Sequence, residues 1–133
     1  MLWRTRNGFV LLRAENESLA PYSERFHALF RFWFAHSSDP FVMLDAQGRF
    51  NGANPAADRL LGIRGRPLAG RPLSAFLKEQ CEAHSVIMRM IESGEAARGK
   101  RVRVDPVDGP GVEMEMTAVK YGAEWWIILR TGR

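Results

Sequence analysis

Between Arg101 and Ala118 the chain alternates apolar and charged or polar residues with a period of two, interrupted by Asp108-Gly109-Pro110-Gly111. Val102 and Val104 alternate with Arg101 and Arg103. Past the interruption, Val112, Met114, Met116 and Ala118 alternate with Glu113, Glu115 and Thr117. Successive side chains of a strand point to opposite faces, so this pattern predicts a half-buried β-hairpin turning at the Gly/Pro segment. With the valines and methionines inward, Arg101 and Arg103 share the outer face with Glu113 and Glu115. Any register that keeps the apolar face buried brings these opposite charges near one another.

That pairing bears on the charge balance. The chain carries a formal +4 and 16 Arg against 3 Lys. Phosphate binding needs several cations on one face without carboxylates among them. The basic strand Arg98, Lys100, Arg101, Arg103 has its counter-charges opposite it, and Arg64, Arg66 and Arg71 form only one loop, so no nucleic-acid partner is expected.

Upstream, Phe26, Leu29, Phe30, Trp33 and Phe34 fall at helical spacing and predict an amphipathic helix over Ser23–Ala35, after an N-terminal extension of residues 1–22. Its aromatic surface exceeds one small core contact, and two readings follow: a helix folded onto its own domain, or a dimerisation helix whose aromatic patch meets a second copy of the chain. Phe41-Val42-Met43-Leu44 reads as a buried strand, Asp45-Ala46-Gln47-Gly48 as a tight turn, and Arg49–Ala53 as a second strand. Asn54 suits a helix N-cap, Pro55 the first helical position and Gly62 the C-terminal stop, predicting a short helix over Ala56–Leu61. A further helix is expected from Ser74 to Glu92, broken near Glu79, with Leu77, Cys81, His84, Met88 and Ile91 inward. A last strand over Glu124–Arg130 completes the order: helix, two strands, helices, three strands. This predicts an α+β fold, one five-stranded antiparallel sheet with short helices on one face plus the N-terminal helix, in a single domain over residues 23–133 with its core in 40–131.

At 133 residues and 46% hydrophobic the chain can bury a core without disulfides. The single Cys81 and the lack of an apolar run of roughly 20 residues point to a cytoplasmic protein with no membrane partner. No phosphate-binding loop, His-Glu-x-x-His or nucleophile elbow occurs, so no enzymatic activity is expected. Cys81 and His84 lack the companion ligands of a metal site, and Met88, Met90, Met114 and Met116 read as soft core filling.

The run Asn54-Pro55-Ala56-Ala57-Asp58-Arg59-Leu60-Leu61-Gly62, with Gly70-Arg71-Pro72-Leu73 after it, Ser38–Gly48 before it and Val107-Asp108-Gly109 later, resembles the PAS sensory domains of bacterial and eukaryotic signalling proteins. The resemblance covers about residues 23–131. It implies a signalling module that senses a signal or mediates dimerisation and partner contact, with a signalling protein or effector domain as partner and a small-molecule ligand in an internal pocket. His84, Met88, Met116 and Trp126 are the pocket candidates. Phe26, Phe30, Trp33, Phe34 and Trp125 are the interface candidates. In haem-binding members a histidine on the long helix holds the iron, and His84 stands on the corresponding helix, so the alternative is a haem-based gas or redox sensor with His84 as axial ligand. The reactive-cysteine motif of flavin photoreceptors is missing around Cys81. Where many members end in an Asp-Ile-Thr-like signature, this chain has Leu129-Arg130-Thr131-Gly132-Arg133, and it is expected either to be one module of a longer protein or to act through a partner.

Overall fold

A computed structural model describes residues 20–131. The expectations for residues 1–19 lie outside the described residues. Two compact units divide between His36 and Ser37.

The first unit contributes helix α1, Ala20–His36. Pro21 falls in the first turn, where its missing N–H costs nothing, and no glycine or proline follows until Pro40. Along the helix Phe30 stacks against both Trp33 and Phe34, at centroid distances of 6.2 and 5.7 Å.

The second unit holds β1 (Phe41–Leu44), β2 (Phe50–Ala53), α2 (Pro55–Leu61), a 3-10 turn (Leu73–Ala75), α3 (Glu82–Ser93), β3 (Ala97–Val104), β4 (Val112–Tyr121) and β5 (Glu124–Thr131). The five strands form one antiparallel sheet in the order β2-β1-β5-β4-β3. The α+β architecture expected from the element order is the one observed. The alternating hairpin folds in register: Val102 pairs with Met114, Arg101 with Glu115 and Arg103 with Glu113. Arg101 Nη2 also reaches diagonally to Glu113 Oε1 at 3.3 Å.

One face of the sheet carries Val42, Leu44, Phe50, Val102, Val104, Met114, Met116, Ala118, Trp125 and Ile127. These side chains pack with Ala57 and Leu61 of α2, Leu73 and Phe76, and Ala83, Val86, Ile87 and Met90 of α3 in a single core. The fold departs from expectation between Ser74 and Cys81. Instead of a helical start, Lys78 N–H donates to the Asp105 carbonyl at 2.9 Å and Val107 N–H to the Phe76 carbonyl at 3.0 Å. Backbone groups satisfied by the β3–β4 connection are not available to a helix, so α3 begins only at Glu82.

Candidate functional site

The segment that bears the resemblance is also the mechanical centre of the second unit. Asn54 is completely buried. Its Oδ1 accepts from Ala57 N–H at 2.9 Å, capping α2, and from Phe41 N–H at 2.9 Å, while its Nδ2 donates to the Asp39 carbonyl at 3.0 Å. One side chain thus ties the helix start to the entry of β1. At the other end of α2, Gly62 takes the left-handed conformation (φ 67°) and its N–H returns to the Asp58 carbonyl. A Cβ there would stand 3.1 Å from the Asp108 carbonyl oxygen, so the helix stop is also the point where the β3–β4 connection approaches. Asp58 Oδ1 accepts from Arg64 N–H at 2.7 Å and holds that residue at φ 56°. The basic loop then folds over the core: Arg66 and Arg71 place their guanidinium carbons 5.1 and 5.6 Å from the centroid of the buried Phe76 ring. Arg66 also donates from Nη2 to the Gly62 carbonyl and from Nε to the Ile63 carbonyl, so much of its hydrogen-bonding capacity is used internally.

The four pocket candidates do not converge on one cavity. Met116 is fully buried in the core. His84 is half-buried in the first turn of α3, because the row facing the core is Ala83, Val86, Ile87 and Met90, turned from the expected stripe. Met88 and Ile91 pack against the β1–β2 turn at Gly48. An axial haem ligand needs an imidazole aimed into an apolar cavity. His84 stands instead outside the row by which α3 joins the core, and that core holds Phe50, Phe76, Met116 and Trp125, each less than 2% exposed. These residues do not fit a haem, and the alternative based on His84 is set aside.

The two tryptophans exchange the places expected of them. Trp125 is 1% exposed and faces the core, so it is not available to a partner. Trp126 is half-buried on the opposite, outer face. There it meets the ring of Phe41 edge-on at 5.8 Å and that of Tyr121 at 4.9 Å, and its Nε1 donates to Glu124 Oε1 at 2.9 Å. Glu124 Oε2 accepts from Asn51 Nδ2 at 2.8 Å. Met43 completes this face over Gly52, where a Cβ would come within 2.8 Å of its Cε. The outer face therefore carries an aromatic and thioether row that sequence reasoning placed on the wrong tryptophan. Of the helix candidates, Phe26 and Trp33 are exposed, while Phe30 and Phe34 are half-buried. Leu29 and Phe32, which the interface set left out, are more exposed than any of them. A separate open groove, of about 780 Å³, runs between α3 and β3.

The model of the PAS fold matches residues 28–129. The chain belongs to the PAS family. No curated protein sequence matches it. Among solved structures, this PAS domain is similar to the PAS domain of an HTR-like protein from Haloarcula marismortui, with a TM-score of 0.63 and 16% identity over 86% of this chain and 98% of that one. It is similar also to the PAS domain of nitrogen regulation protein NR(II) from Vibrio parahaemolyticus, with a TM-score of 0.63 and 18% identity over 78% of this chain and 98% of that one. A chain of the E. coli DhaR(N)-DhaL complex aligns with a TM-score of 0.61 and 17% identity over 88% of this chain, which spans 39% of that longer one. At such identities the likeness carries the fold. Membership places the chain among the sensory and signalling modules of that family. Among the described residues no helix is long and apolar enough to cross a membrane, and no group of three or more His, Cys, Asp and Glu side chains could hold a metal ion.

Proposed function

We propose that this PAS domain is a non-catalytic interaction module of a signalling protein, which self-associates as a homodimer and contacts its partner through α1 and the outer sheet face. The observation that carries this reading is the exposure along α1: 59% for Phe26, 64% for Leu29, 63% for Phe32 and 39% for Trp33. Fully burying one such side chain is worth about 1.5–3 kcal/mol, and at these exposures at least a third of that is still to be gained. Large apolar side chains left at the surface in a contiguous row mark partner contacts. On the outer sheet face Tyr121 and Trp126 are half-buried aromatic side chains that keep some exposed apolar area. The E. coli neighbour was solved as a complex of DhaR(N) with DhaL, an instance of this fold in a protein assembly.

The test is sedimentation velocity of the whole chain over a wide concentration range, beside a variant carrying Phe26→Glu and Phe32→Glu. A concentration-dependent dimer is expected for the parent and a monomer with unchanged circular dichroism for the variant. A parent that stays monomeric at several hundred micromolar, or a double variant that dimerises as before, would sink the proposal.

A further inference from the structure

The groove between α3 and β3 combines features that the dimerisation reading does not use. Its floor is apolar: Val86 and Met90 are 4% and 5% exposed, and Ala97 is half-buried beside them. Its walls carry Arg89 from the helix and Arg98 and Lys100 from the strand, all exposed and none in an ion pair among the described residues. Glu92 and Glu95 lie at one end only, where α3 turns into β3. One wall is an edge strand among the described residues, where β3 closes the sheet order and pairs with β4 alone.

Backbone alternation decides what that edge offers. Arg103 N–H does not enter the ladder with β4; it donates outward to Glu82 Oε1 at 3.0 Å. Arg101 is two residues away in the same ladder, opposite Glu115 as Arg103 is opposite Glu113, so its N–H and carbonyl also point outward. One carboxylate of this chain, from the first turn of α3, already uses the edge at Arg103. The next outward position lies towards the groove. Register shifts between Ala97 and Lys100, and Gly99 N–H turns to Thr117 Oγ1 at 3.0 Å, so the bulge separates the groove stretch from the regular ladder.

We infer that this groove docks an extended acidic peptide segment of a partner protein, which adds as a strand to β3 at Arg101. Its acidic side chains, alternate along the strand, turn to the α3 face and meet Arg89, Arg98 and Lys100 above the apolar floor, while the side chains between them fall on the other face of the sheet. An edge strand on one side and a helix on the other is the arrangement in which strand addition supplies affinity through the main chain and specificity through alternate side chains. Charge selects the occupant. Arg101 and Arg103 are already paired with Glu113 and Asp105, so the charge that repels a second copy of this edge and attracts an acidic strand is that of Lys100 with Arg89 and Arg98.

The test uses the full chain and a fluorescein-labelled peptide of alternating Glu and Val, about ten residues long, followed by fluorescence anisotropy at low and physiological salt. Saturable binding that weakens with salt is expected, with the Arg101 amide moving in a two-dimensional NMR titration. Arg98→Glu with Lys100→Glu should weaken binding by about tenfold or more. Arg101→Pro, which removes only an outward N–H, should weaken it relative to Arg101→Ala. If the proline variant does not fold, the charge-reversal pair and the NMR shift carry the test. Failure of the Glu-Val peptide to bind, equal binding of a Lys-Val peptide, or binding indifferent to the charge reversal would overturn the inference. Displacement of the peptide by a single-stranded oligonucleotide of tighter affinity would overturn it in favour of a nucleic acid. None of these readouts depends on dimerisation through α1.

Discussion

Replacing Asn54 by alanine removes three hydrogen bonds from a fully buried position. Loss of the α2 cap alone costs about 1 kcal/mol. Phe41 N–H, with its residue 5% exposed, is left without its acceptor at a further cost of about 1–3 kcal/mol. The Asp39 carbonyl is partly buried and loses the Nδ2 donor, which adds roughly 0.5–1 kcal/mol. The total, about 2.5–5 kcal/mol, is a large part of the 5–15 kcal/mol expected for a domain.

Urea denaturation reads this directly. With a slope of about 1.5 kcal/mol/M, the midpoint should fall by about 2–3 M with the slope unchanged. Asn54→Ser separates the contributions. Its hydroxyl can still accept from Ala57 N–H, but it is too short to span to both Phe41 and Asp39, so it should recover about 1 kcal/mol of the loss and no more. An alanine variant only about 1 kcal/mol less stable than the parent would mean that Asn54 is a helix cap and nothing else. A serine variant as stable as the parent would refute the strap between α2 and β1.

Two other pairs of substitutions test the fold in the same assay. Gly62→Ala and Gly94→Ala both force a side chain into the left-handed region, at about 1 kcal/mol. Only Gly62 also meets the Asp108 carbonyl, so its variant should be the less stable of the two, and equal losses would remove that contact from the account. Trp125→Ala should cost about 3–5 kcal/mol as a core cavity, and Trp126→Ala much less, with its effect falling on self-association. The reverse order would return the two tryptophans to the places first expected of them.

How far the chain could be read from sequence depended on whether each signal was local. The α2 signals were local: Asn54, Pro55 and Gly62 sit within one helix and its caps, and each does there what its chemistry suggests. The β3–β4 hairpin was legible because charge marks every second position, fixing which face is inward. Trp125-Trp126-Ile127-Ile128 carries no such mark, since either phase buries one tryptophan and one isoleucine. Pairing decides the phase, through Trp125 opposite Leu44 and Ile127 opposite Val42 and Ala118, and partners distant in sequence are not visible in the strand itself. The start of α3 was hidden for a related reason. Cys81 occupies the N-cap without a side-chain bond, so nothing local announces the helix. What displaces the earlier start is the pairing of Leu77 with Pro106, a long-range contact. His84 moved from core to flank with that shift, and the haem alternative went with it. Of the surfaces, the exposed α1 stripe lies where helical spacing places it, the aromatic row of the outer face holds Trp126 rather than Trp125, and the α3–β3 groove shows in the sequence only as scattered cations.

An open sheet has two edges, and this one treats them differently. At β2, Phe50 N–H donates to the Arg71 carbonyl at 2.9 Å and Gly70 N–H to the Phe50 carbonyl at 2.8 Å, so a loop of the same chain closes the edge. At β3, closure by the chain itself extends to Asp105 and Arg103, through Lys78 N–H and Glu82, while Lys100 and Arg101 guard the stretch before them with charge. Charge deters like partners but leaves the backbone groups in place, whereas a covering loop occupies them. If charge is what keeps β3 from pairing with itself, Lys100→Val with Arg101→Thr should leave secondary structure intact and produce species larger than those of the parent in light scattering, growing with concentration. An unchanged mass distribution would mean that the bulge at Ala97–Lys100, rather than the cations, is what protects the edge.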